Sequence, residues 1–107
     1  MEKFDGTEGA NIPLNEAIAM TQAFRKANPE AIKAHYIGKN IILELLKQKE
    51  SVGMRVYNGI NEDGTAAIVI VGVTEDNKDL YLTTRADKAI PCPESCDIES
   101  PLVKDGE

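Results

Sequence analysis

The chain has 107 residues, 42% of them hydrophobic and 28% charged, and its 18 acidic and 12 basic side chains leave a net charge of −6. That length supports one core rather than two domains, and the apolar content is too high for a disordered chain. The acidic balance disfavours nucleic acid and anionic membrane surfaces as partners, because both would repel it.

Residues 1–12, with Gly6, Gly9 and Asn11, read as a flexible lead-in. Met1 to Asp5 lack the basic-then-apolar order of a secretory leader. A helix is predicted from Pro13, since proline suits a first turn whose N–H has no helical partner anyway. Leu14, Ala17, Ile18, Thr21, Phe24 and Ala27 recur along it at spacings of three and four. Glu16 near its start and Arg25 and Lys26 near its end suit the helix dipole. Asn28-Pro29 breaks it, because a residue before proline avoids the helical region.

A second helix is predicted over residues 29–49, with a stripe of Ala31, Ala34, Ile37, Gly38, Ile41, Ile42 and Leu45. Gly38 lies on that stripe, and the unbroken phase across it favours one continuous or slightly kinked helix over a break.

After Ser51 the period changes to two. Met54, Val56, Asn58 and Ile60 alternate with Arg55, Tyr57 and Gly59, which predicts a strand with one wet face. Asn61-Glu62-Asp63-Gly64 is a tight-turn signal. The next strand is apolar toward both faces over Ala66, Ala67, Ile68, Val69, Ile70 and Val71, so it belongs in the centre of a sheet. A second turn at residues 75–78 leads to a short third strand through Leu80, Tyr81 and Leu82.

The expected fold is α+β: two N-terminal helices on one face of a three-stranded antiparallel meander, followed by an irregular C-terminal tail. The expected division is a lead-in over 1–12, one α+β domain over 13–90, and a Cys- and Pro-containing acidic tail over 91–107. Two helices cover one face only, so the second face of the middle strand needs the tail, the lead-in or another copy of the chain. Self-association is the preferred solution. The longest apolar run, residues 66–73 with Gly72 inside it, falls far below the ~20 residues of a bilayer span. With two cysteines and no leader, the expected setting is a reducing cytoplasm.

Three groups of side chains could carry chemistry. Cys92 and Cys96, with three residues between them in Pro91-Cys92-Pro93-Glu94-Ser95-Cys96, invite a metal or thiol reading, with His35, the one histidine, as a further ligand. Zinc is the metal such donors suit, but a structural site wants four ligands, and a thioredoxin-type pair has two intervening residues. Two thiols in a proline-stiffened turn, or a disulfide-closed loop in an oxidising compartment, fit the same residues. Arg55 and Tyr57 project from one face of the first predicted strand, where they could clamp a carboxylate or phosphate. A solvated strand face with a cross-strand partner is the preferred reading of the same two residues. The acidic pairs Glu62-Asp63 and Glu75-Asp76 lack the spacing of a calcium loop, and no nucleophile or phosphate-loop motif occurs, so no catalytic residue is assigned.

The succession Asn28-Pro29, His35-Tyr36-Ile37-Gly38-Lys39, Gly53-Met54-Arg55-Val56-Tyr57-Asn58-Gly59 and Pro91-Cys92-Pro93-Glu94-Ser95-Cys96 resembles a family of small bacterial proteins with no assigned activity. The resemblance spans about residues 13–97 and implies a bacterial, cytoplasmic setting; it transfers no catalytic residue. The functional expectation is therefore a non-enzymatic interaction or self-association module, with itself or another protein as partner and no cofactor. The alternative is a metal- or thiol-dependent protein using Cys92 and Cys96.

Overall fold

In the computed structural model, which describes residues 3–104, the chain forms α1 (Leu14–Ala27), β1 (Ala34–Tyr36), α2 (Lys39–Lys47), β2 (Gly53–Ile60), β3 (Ala66–Val73), β4 (Asp79–Ala86) and β5 (Ile90–Cys92). The period-two segments become an antiparallel meander with β3 between β2 and β4. The first hairpin turns where its residues favour it. Gly64 takes φ +89°, which L side chains resist, and Asp63 Oδ1 accepts hydrogen bonds from Thr65 N and Oγ1 at 3.0 and 2.6 Å. Asn77 supplies the left-handed residue of the second turn, at φ 65°.

Cross-strand register assigns side chains to faces. Ile68, Ile70 and Gly72 share one face of β3, and α2 lies against it. Leu45, fully buried, packs there with Ile70 and Ala86, and Ile37, Ile41, Ile42 and Ile68 surround them. Burying a leucine this completely stabilises by about 1.5–3 kcal/mol. Gly72 lets the end of α2 come close, since a Cβ there would lie 2.9 Å from Gln48 Nε2.

The opposite face of β3 carries Val71 and Val73, each 3% exposed. Cover comes from within the chain. Arg55 and Tyr57 on β2 both bond to Asp79 on β4, so their side chains reach across β3. The lead-in folds over the Val73 end, where Phe4 N donates to the Glu75 carbonyl at 2.8 Å and Lys3 Nζ lies 2.6 Å from Asp76 Oδ1.

Three expectations need correction. Residues 29–49 are not one helix: Asn28 closes α1, its N–H and side-chain amide both donating to the Phe24 carbonyl. A turn follows, then the strand β1, and helix resumes only after Gly38, which is extended at φ −71°, ψ 155°. The apolar phase ran on, but Tyr36 also suits a strand. Their partner lies far along the chain: Ala34, His35 and Tyr36 pair with Cys92, Pro91 and Ile90. The C-terminal segment is therefore not irregular throughout, since β5 forms the other half of that ribbon. Finally, α2 alone makes extended contact with the sheet. The clearest tie of α1 is at its end, where Arg25 Nη1 donates to the Leu102 carbonyl at 2.7 Å.

Candidate functional site

The residues with most polar contact on the sheet are those that strand alternation singles out. Arg55 and Tyr57 share a face because they are two apart on β2, and β4 delivers Asp79 to the same face opposite Val73. Arg55 Nη1 donates to Asp79 Oδ1 at 2.5 Å, Nη2 donates to Asn77 Oδ1, and the Tyr57 hydroxyl donates to Asp79 Oδ2. Asp79 thus receives one donor on each oxygen. The hydrogen bond to Asp79 holds the Tyr57 phenol above its ordinary pKa of 10.0, because that bond needs the neutral O–H, while Arg55 pulls weakly the other way. The same carboxylate raises Arg55 further. Chemically, this is an arginine–tyrosine clamp that already holds an anion, one supplied by the chain itself. An external carboxylate or phosphate would have to displace Asp79.

The second candidate group is spread over the β1–β5 ribbon. Cys92 and Cys96 are joined in a disulfide, with Cys92 buried and Cys96 half-buried. Lys33 N donates to the Cys92 carbonyl at 2.6 Å, and Ser95 N donates to that of Pro91 at 3.0 Å. His35 stands opposite Pro91 and Ala34 opposite Cys92, so the side chains of His35 and Cys92 project from opposite faces of the ribbon. His35 Nε2 instead donates to the Ala66 carbonyl at 3.3 Å. The structure does not gather Cys92, Cys96 and His35 into one ligand set. Among the described residues, no three His, Cys, Asp or Glu side chains cluster closely enough to hold a metal ion.

Sequence reasoning missed Asp79 and Asn77 as partners of Arg55 and Tyr57. Their type was visible, but β3 lies between them and β2, and a single sequence gives no signal for that reach. No helix among the described residues is long and apolar enough to cross a membrane. Comparison with protein-family models, curated proteins and solved structures found no match.

Proposed function

We propose that the chain is a non-enzymatic protein-interaction module that works as a homo-oligomer. The observation that carries this reading is surface. The chain exposes 8188 Å², whereas a compact monomer of 11.7 kDa exposes ~5,900 Å². Its radius of gyration is 15.7 Å, against about 13 Å for a compact chain of this length. The excess of about 2,300 Å² is well above the ~800 Å² that each partner buries in an interface of standard size. Much of the open surface is apolar: Ile12 just before α1, Leu14, Met20 and Phe24 along it, and Met54, Val56 and Ile60 along β2. The doubly apolar middle strand, which first pointed to self-association, is covered at Val71 and Val73 by the chain's own side chains, so α1 and β2 now support the proposal. A second copy is preferred over nucleic acid, which the net charge of −6 repels.

Light scattering coupled to size exclusion, from micromolar to millimolar protein, tests it. The expected mass at the upper end is at least twice 11.7 kDa. A mass of 11.7 kDa at every concentration overturns it.

The bonded pair Cys92–Cys96 favours a second reading, a thiol-dependent protein whose two sulfurs cycle between disulfide and dithiol. A persistent bond belongs with an oxidising compartment, and a reduced pair with a cytoplasmic one. Thiol titration of protein purified without reductant separates them: two free thiols remove this reading.

A further inference from the structure

The two borders of the meander are built differently. On β4, register jumps from Val71 opposite Arg85 to Gly72 opposite Leu80, which loops residues 81–84 out of the ladder. Thr83 Oγ1 ties that bulge to Gln48, just past the end of α2, at 2.6 Å, and Thr84 Oγ1 ties it to Glu44 of α2 at 3.2 Å. A bulged border resists pairing with another strand. On β2, register with β3 is unbroken from Gly53 to Ile60. This border carries no proline or lysine, and its one charge, Arg55, is engaged by Asp79 on one face of the sheet.

Backbone polarity along β2 follows from the hairpin. Asn61 N donates to the Thr65 carbonyl at 2.8 Å, and this pair continues the β2–β3 register. Counting back in twos, Gly59, Tyr57, Arg55 and Gly53 turn their backbone groups toward β3, and Met54, Val56, Asn58 and Ile60 turn theirs outward. Among the described residues, nothing pairs with those four. Their side chains lie on the α2 face of the sheet, but α2 sits mainly toward β4, leaving Val56 54% and Ile60 79% exposed. The lead-in approaches only the start of β2, with Gly6 close to the Val52 carbonyl.

We propose that two copies join edge to edge along β2, antiparallel about a two-fold axis at Tyr57, to make one continuous six-stranded sheet. This rests on the self-association reading and names its surface. Outward-facing residues must meet outward-facing residues, so only registers that pair even numbers are allowed. Centring on Tyr57 sets Met54 opposite the partner's Ile60 and Val56 opposite the partner's Asn58. All four open positions of each strand are then used, in about eight hydrogen bonds. Sliding by two residues either way leaves one outward-facing residue of each β2 strand opposite no outward-facing residue of the other. The chosen register brings an exposed methionine against an exposed isoleucine and sets Arg55 opposite a glycine, so no like charges meet.

Three variants on β2 and one control on β4 test the surface after the mass of the unmodified protein is known. Val56→Pro removes an N–H that points away from β3, so the meander keeps its ladder and the dimer loses its central bonds. Val56→Lys charges the same border without touching the backbone. Both are expected to raise the dimer dissociation constant at least tenfold while leaving far-UV circular dichroism unchanged. Tyr57→Cys places two sulfurs across the axis at a pair whose Cα atoms lie ~4.5 Å apart, within disulfide reach. It is expected to give a covalent dimer on air oxidation, while Leu82→Cys on the bulged border gives none. If the protein dimerises but both Val56 variants dimerise equally well and Tyr57→Cys stays uncrosslinked, the β2 border is overturned and self-association stands. A strict monomer overturns both and leaves this border to a strand from a different protein.

Discussion

Asp63 accepts two hydrogen bonds from Thr65, and both favour its ionised form, the side-chain hydroxyl most. Its carboxyl is therefore held below the ordinary 3.8. A group depressed in the folded state stabilises fully above its unfolded pKa and loses that contribution as pH falls through the lower folded value. Tyr57 behaves in the opposite sense. Raised above 10.0 by its bond to Asp79, it stabilises fully below 10.0 and loses that contribution as pH climbs through the raised value. Between these limits neither group changes stability. NMR titration of a Thr65→Val variant is expected to show Asp63 returning toward 3.8 without reaching it, because the backbone donor remains. In Asp79→Ala, Tyr57 loses the partner that raises it and keeps Arg55, which lowers it. Its ring resonances are then expected to titrate lower than in the unmodified protein. An unchanged midpoint would mean that the bridge across β3 does not form in solution.

At the scale of elements, α2 is the one helix whose apolar side is matched by the sheet. Leu45 lies fully buried on it while its neighbour Leu46 is 45% exposed. Leu45→Ala is expected to destabilise by about 2–5 kcal/mol through lost contact and a residual cavity. Leu46→Ala should change stability by no more than ~0.5 kcal/mol. Urea unfolding of the two variants checks this, and equal losses would place α2 in a different rotation. The meander was legible in sequence because its information is local: alternation from Met54 to Ile60, a glycine turn at 61–64, and a doubly apolar centre at 66–71. Residues 29–49 were misread because the competing information is distant. Nothing near Ala34-His35-Tyr36 announces that Ile90-Pro91-Cys92 will pair with them. Gly38 carried the one local hint, and the phase of the isoleucines on either side outweighed it. Arg55 and Tyr57 were legible as a same-face pair, whereas their anion, Asp79, lay two strands away.

For the whole molecule, the question is what holds α1. It has 14 residues, near the length at which an isolated helix is marginal in water. Leu14, Met20 and Phe24 are exposed along it, and its clearest tie is Arg25 to the tail at Leu102. Helices in proteins owe most of their stability to a packed apolar side, and along α1 Ala17 and Ile18 are only half-buried among the described residues. The sheet has its own core at Leu45, Ile70 and Ala86 and should be indifferent to concentration. If association covers α1, hydrogen exchange should separate the two regions. Amides of α1 are expected to exchange rapidly in dilute protein and to become protected, by tenfold or more, where the dimer forms. Amides of β3 should stay equally protected throughout. Protection of α1 that does not change with concentration would mean that the chain stabilises this helix alone. Its apolar residues would then lose their part in the self-association argument, leaving the open border of β2 to carry it.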